Sequence, residues 1–347
     1  MGLRFPSDIE AWQHWHERRH RLRRLKARAT GAGRPPGEPS WHLASSSETP
    51  KIIIALDTPN PTSVASLLGP WRSSPGAGVA IVAPFALAPL VGDTFTDRPV
   101  SADAVDDLVA GARVAVGAGH YLPVGGAVCR AARRHELPFV MVQHGLLTPL
   151  APPLPAGTHL LAWSEADAEF WRSGRSDVTT EVVGSQLFAS AAARPCLTSV
   201  ADAPPVYLGQ LHAAELSRAG LARAADRFCR DNGATYRPHP SETDKISRAV
   251  HALWRRRGIR IDTAGGPLSD LSSPVVSVFS TGVLEAAARG LPAWVDYPNP
   301  PAWLSEFWER YRMNRWGSPP TPAPHRPAEE PARRIAKILE AMAEGRA

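Results

Sequence analysis

Arg237-Pro238-His239-Pro240 sets one imidazole between two prolines, whose rings fix the backbone on either side. An imidazole held that way can donate to a phosphate, with the Arg237 guanidinium as a second donor. A rigid turn around a histidine satisfied within the fold reads equally from these residues. Ser280-Thr281-Gly282 follows the apolar run Val275–Phe279 and opens a helical pattern. The first turn of such a helix offers unpaired N–H groups and the positive end of the dipole. The two hydroxyls add donors, and Gly282 would let a ligand reach the backbone. Glu285, one turn in, is placed to accept hydrogen bonds from hydroxyls such as those of a ribose. Plain N-capping by Ser280 or Thr281, with Glu285 completing a capping box, explains the same residues.

Gln143-His144-Gly145 has the same form in the first half. Gly145 permits a tight turn after a buried strand, which aims His144 at a cleft as a base or as a hold on a second reactant. A structural histidine at a strand end is the alternative. Asp57, in Asp57-Thr58-Pro59, and Asp93 are the rival carboxylate bases, although Asp57 also suits the start of its turn.

Strands must present these clusters. Lys51–Leu56, Val79–Val82, Val114–Val116 and Phe139–Val142 are apolar throughout, with helical patterns between them near 61–69, 101–111 and 124–135. Further strands are expected at 159–163, 180–183, 206–208, 235–237, 260–262, 275–279 and 293–295, and further helices at 213–231, 242–256, 283–289 and 330–343. Strands apolar on both faces and alternating with helices predict an α/β fold of two Rossmann-like, doubly wound parallel sheets. The expected division is a basic helix and Pro/Gly/Ser-rich linker over 1–49, a first Rossmann-like domain over 50–190, and a second over 205–325. A final helix over 326–347 can reach back to the first domain. Ligands of such sheets bind beyond the carboxyl ends of the strands, which is where the polar clusters fall.

Composition narrows the function classes. Three widely spaced cysteines, Cys129, Cys196 and Cys229, show no metal-ligand spacing and suit a reduced compartment. No apolar run is long enough to span a bilayer and no secretory leader is evident, so a cytoplasmic protein is expected. The net charge of +6 is uneven. Residues 1–50 hold nine Arg or Lys against five Asp or Glu, and His14–Arg28 is the densest part. Ser7-Asp8-Ile9-Glu10 caps the helix expected there. That helix is either a solvated helix packed by one edge or a contact with anionic lipid at the inner face of a membrane or with an anionic acceptor. Nucleic acid is not favoured, because the aromatic–glycine patterns of single-strand binders are missing. GxxxxGK[ST], GxGxxG, HExxH and GxSxG are all missing, as is a paired-carboxylate DxD motif, and no metal is expected.

Taken together, Gln143-His144-Gly145, Arg237-Pro238-His239-Pro240, Ser280-Thr281-Gly282 with Leu284-Glu285-Ala286, and Gly290-Leu291-Pro292 resemble GT-B-fold glycosyltransferases. The nearest group is that of the CDP-glycerol glycerophosphotransferases, capsule Kdo transferases and bacterial sialyltransferases. The resemblance implies an acceptor domain followed by a nucleotide-donor domain. It implies donor-phosphate contacts from His239, Ser280 and Thr281, supported by Arg237 and Gly282, and nucleotide contact from Glu285. The resemblance aligns no particular base; the residues themselves offer His144 or Asp57 as the catalytic base, with Gln143 and Gly145 on the acceptor side. No separate cofactor is implied. The donor is itself a nucleotide-activated substrate, often of cytidine, and the acceptor a cell-envelope polysaccharide or lipid-linked glycan. A nucleotide-sugar 2-epimerase of the same fold is the first alternative. A non-catalytic protein that binds nucleic acid or an anionic surface through residues 14–28 is the second.

Overall fold

The computed structural model describes residues 2–18, 41–71, 78–196, 203–263 and 265–346. In chain order it contains α1 (9–18), β1 (Trp41–Ser45), β2 (Ile52–Ala55), α2 (Pro61–Leu67), β3 (Val79–Ala83), β4 (Thr96–Val100) and α3 (Ala104–Ala110). Then come β5 (Val114–Gly117), α4 (Pro123–Arg134), β6 (Phe139–Val142), β7 (His159–Ala162), α5 (Glu165–Arg172), β8 (Thr179–Val182) and α6 (Gln186–Ala192). They are followed by β9 (Val206–Leu208), α7 (Arg218–Asn232), β10 (Thr235–Arg237), α8 (Lys245–Arg256) and β11 (Val275–Ser277). The last elements are α9 (Thr281–Ala288), β12 (Ala293–Val295), α10 (Ala302–Arg310) and α11 (Pro331–Ala343). Two compact units result: Gly2–Leu187 with Pro327–Ala347, and Phe188–Arg326.

The first unit is built on an eight-stranded sheet ordered β4-β1-β3-β2-β5-β6-β7-β8. Its strands from β3 to β8 are parallel. Every residue of β2, β3, β5 and β6 is buried, because helices cover both faces. Ile53, Val82 and Met141 pack towards Val105, Val128 and Phe170 of α3, α4 and α5. Their neighbours Ile52, Ile81 and Val140 pack on the other face towards Leu67 of α2 and Ile335 and Leu339 of α11. α11 is fixed at its start by Gln186, whose Oε1 accepts from the Ala332 N–H at 2.8 Å while its Nε2 donates to Glu330 Oε1 at 2.9 Å.

This unit differs from expectation near its N-terminus. Trp41–Ser45, inside the stretch read as a linker, is an antiparallel strand paired with β3 on one side and β4 on the other. Its Trp41 and Leu43 are core residues. The edge strand β4 carries Asp97, Arg98 and Pro99, which discourage further pairing. Residues 2–18 also belong to the unit. Trp12 is buried, packs edge-on against Tyr121 with ring centroids 4.7 Å apart, and donates its indole N–H to the Leu150 carbonyl at 2.8 Å. Residues 19–28 of the Arg-rich stretch lie outside the described residues. Among the described residues no helix is long and apolar enough to cross a membrane.

The second unit is built on a four-stranded parallel sheet ordered β10-β9-β11-β12. The strand expected at 260–262 is reduced to a single bridge between Ile261 and Tyr236. Tyr207 and Tyr236 are fully buried at the centre, and Tyr236 meets Trp254 of α8 edge-on at 4.7 Å.

Candidate functional site

Each sheet contains a point where the strand order reverses. It lies between β2 and β5 in the first unit and between β9 and β11 in the second. In sheets of this kind the crevice beyond the carboxyl ends of the strands at that point is the usual ligand position.

In the second unit β9, β10 and β11 run into Gly209–His212, Pro238–Pro240 and Val278–Thr281. His239 stacks on His212, with ring centroids 3.9 Å apart and planes 21° from parallel. The Ser241 N–H donates to His239 Nδ1 at 3.1 Å. The neutral ring therefore carries its proton on Nε2, which is left as a donor of fixed direction. Desolvation pulls both imidazoles below their ordinary value. His212 falls to about 4, with the neighbouring His239 adding to the effect, while Glu242 pulls His239 part of the way back up.

Glu242 ties the two histidine loops together. Its fully buried carboxylate accepts from the Tyr236 hydroxyl at 2.9 Å, His251 Nε2 at 3.0 Å and the Leu211 N–H at 3.0 Å. Its own N–H donates to the His239 carbonyl at 2.8 Å. Burial raises the carboxyl, but these bonds outweigh it and hold Glu242 below the usual carboxylate range. Gly209 makes room for the network, since a Cβ there would lie 2.3 Å from the Tyr236 hydroxyl and 2.7 Å from Glu242. Across the strand reversal, Gln210 Oε1 accepts from the Phe279 N–H at 2.9 Å and from the Ser277 hydroxyl at 3.0 Å, which pins the end of β11 to the end of β9.

Ser280 is the N-cap of α9 and accepts from the Gly282 N–H at 3.1 Å. Thr281 is the first helical residue. Packing favours glycine at 282, since a Cβ would lie 2.6 Å from Leu208 and 2.8 Å from Leu268. Glu285 is half-buried, and burial raises its carboxyl against the opposing charge of Arg289. Arg237 turns to the sheet edge, with Asp262 at 3.5 Å and the Gly266 carbonyl as an acceptor. Those bonds anchor β10, and Arg237 is not an unengaged donor.

The crevice of the first unit is filled differently. Both Asp57 oxygens accept backbone N–H groups at the start of α4, Val124 at 2.8 Å and Gly125 at 2.9 Å. The cap position Leu122 has no such side chain, so Asp57 caps the helix from a neighbouring strand. Burial raises its carboxyl, opposed by those two bonds. Gly125 has no alternative here, because a Cβ would fall 2.1 Å from the Gly119 carbonyl oxygen and 2.9 Å from Asp57.

Gln143 is fully buried and works as a clamp. Its Oε1 accepts from the Trp163 N–H at 2.8 Å, and its Nε2 donates to the Gly145 carbonyl at 3.0 Å. Gly145 has ordinary negative φ and nothing within 4 Å of a Cβ, so the turn does not require glycine. His144 beside it is half-buried. Its Nδ1 is buried without a hydrogen-bond partner, and desolvation pulls it down to about 4. Asp93 is exposed. A separate cleft of about 540 Å³ in this unit is lined by His120, Arg133, Leu154, Arg175 and Asp177 among others. Among the described residues no cluster of His, Cys, Asp or Glu could hold a metal ion.

His212 and Glu242 were absent from the sequence-based candidates. The strand-end rule applied to Val206–Leu208 leads to His212, and Glu242 stands two residues after the Pro-His-Pro turn.

No family model matches the chain, and no curated protein matches it. Among solved structures, HepE of Anabaena in complex with UDP is 14% identical, the match covers 85% of this chain and 90% of HepE, and the TM-score is 0.43. The same protein with UDP-glucose gives 14% identity, the same coverage and a TM-score of 0.45. A glycosyltransferase from Rickettsia africae is 10% identical over 86% of this chain and 94% of its own, with a TM-score of 0.44.

Proposed function

We propose that the protein transfers a glycosyl (or glycerophosphoryl) group, without a metal, from a nucleotide-activated donor to a cell-envelope glycan or lipid-linked acceptor. The observation that carries this reading is the pair of stacked imidazoles, His212 and His239, on the loops that follow β9 and β10, at the end of the sheet where β11 leads into α9. The donor phosphates would accept from His239 Nε2–H, from the first-turn N–H groups of α9 and from the Thr281 hydroxyl. Glu285 would accept from ribose hydroxyls. These donors stabilise the charge that builds on the departing nucleotide. In glycosyl transfer, the bond from the anomeric carbon to the phosphate oxygen breaks and the nucleotide leaves with the electron pair. The acceptor hydroxyl bonds to that carbon, and its proton passes to a base. His144, uncharged at neutral pH, suits that base better than Asp57, whose oxygens are both occupied. The Arg-rich 14–28 stretch would keep the enzyme at the inner face of an anionic membrane.

A thermal-shift panel with CMP, CDP, UDP and GDP tests the reading. At least one nucleotide should raise the melting temperature of the wild type, since a ligand that binds only the folded state stabilises it. His239→Ala and His212→Ala, both at exposed rings, should keep the unliganded melting temperature and lose most of the shift. No shift with any nucleotide, or equal shifts in all three proteins, would discard the donor site.

A further inference from the structure

α8 lies on the surface of the second unit and buries Ser247, His251 and Trp254. Its outer face carries Ile246, 60% exposed, and Leu253, 45% exposed. These two are one heptad apart, so they lie on the same side of the helix, with exposed Ala249 between them. Lys245 and Arg256 lie beside them on one side of the helix, while Arg248 and Arg255 lie farther round the exposed face; all four are exposed. No carboxylate occurs between Lys245 and Arg257. The nearest acids are committed elsewhere: Glu242 inward to His251 and Tyr236, Asp244 to Arg218 and Ser247, and Asp226 to Arg230 and Arg257.

We propose that this face of α8 seats on an anionic lipid surface, with Ile246 and Leu253 at the acyl boundary and the neighbouring cations among the headgroups. A short aliphatic ridge with long basic side chains along one side suits a helix lying in a membrane interface. Two aliphatic side chains are far too few for the core of a stable protein interface, which needs roughly 800 Å² per partner. A nucleic-acid surface would present aromatic rings for stacking in place of Ile246 and Leu253. Acidic headgroups complement the uncompensated cations, and the acyl boundary accounts for the two exposed aliphatics.

Sedimentation of the full chain with vesicles tests this. Vesicles of phosphatidylcholine alone should bind little, and vesicles containing phosphatidylglycerol should bind well. Lys245→Glu/Arg256→Glu should lower binding to the acidic vesicles by ten-fold or more. Ile246→Ser/Leu253→Ser should lower it several-fold, although the net charge is unchanged. All of these positions are exposed, and circular dichroism should show that the variants stay folded. The proposal is overturned if the wild type ignores acidic vesicles, or if both variants bind like the wild type, which would leave the contact to residues 14–28. It is also overturned if only the charge variant loses binding and an RNA competes equally for both proteins, since the face would then be a polyanion site.

Discussion

The two crevices occupy the same position in two similar sheets, yet they are filled in opposite ways. Between β2 and β5, the start of α4 is neutralised by the protein's own carboxylate, Asp57, and Trp12 packs against Tyr121 of the following loop. Between β9 and β11, the start of α9 has only a local Ser280 cap, with two uncharged imidazoles and a half-buried Glu285 nearby. A helix start that already holds a carboxylate has spent its attraction for a second anion. Under the proposed function, the first position would take an uncharged hydroxyl compound and the second a phosphate. Strand order locates the possible sites, and the charge state of the first helical turn separates them.

The largest expected effect tests how tightly the first crevice is closed. Gly125→Ala puts a methyl against the Gly119 carbonyl, a backbone atom that cannot swing away. We expect a loss of about 3 kcal/mol or more by denaturant unfolding. Gly282→Ala, which meets the ends of two leucine side chains and the Ser280 hydroxyl, all side-chain atoms, should cost about 1–2 kcal/mol. Equal costs would mean that the first crevice is looser than its contacts imply.

Next in size is Asp57→Ala. Removal of a cap that serves two N–H groups should cost about 1–2 kcal/mol. Nucleotide shifts should be unchanged, and turnover should fall no further than the loss of folded protein explains. A collapse of turnover with stability intact would instead make Asp57 the base and break the contrast between the crevices.

The parallel core was readable because runs such as Lys51–Leu56 are apolar on both faces, which only a doubly covered strand requires. β1 was not, since Trp41–Ser45 follows a Gly/Pro-rich stretch and owes its form to β3 and β4. At the site, His239 and Ser280 were legible because their neighbours in sequence are turn- and cap-forming residues. His212 was not, because its stacking partner comes from another strand. Glycines were hard to read for a similar reason. Gly145 and Gly282 look alike in sequence, but what a Cβ would meet is set by distant segments. Asp57 could be listed as a base because the helix that it caps begins far along the chain.

The smallest effect concerns protons. In the free protein desolvation holds His212 and His239 below the ordinary histidine value, His212 at about 4, with Glu242 pulling up and Arg218 pulling His212 down. A bound phosphate favours the imidazolium, so the histidine pKa is higher in the complex than in the free site. Binding then takes up protons, and the imidazole contribution strengthens as pH falls towards the free-site values. The terminal phosphate also takes up a proton near pH ~6, which works in the opposite direction. The informative quantity is therefore the difference between wild type and His239→Gln, which keeps a donor but cannot titrate. Between about pH 8 and 6 the wild type should gain on the variant by a few-fold, on the order of three- to ten-fold. Calorimetry in buffers of different ionisation enthalpy should show proton uptake by the wild type that shrinks in the variant. Parallel pH profiles would mean that His239 acts by shape alone. The second crevice would then owe its preference for phosphate to the start of α9, the feature that Asp57 cancels in the first.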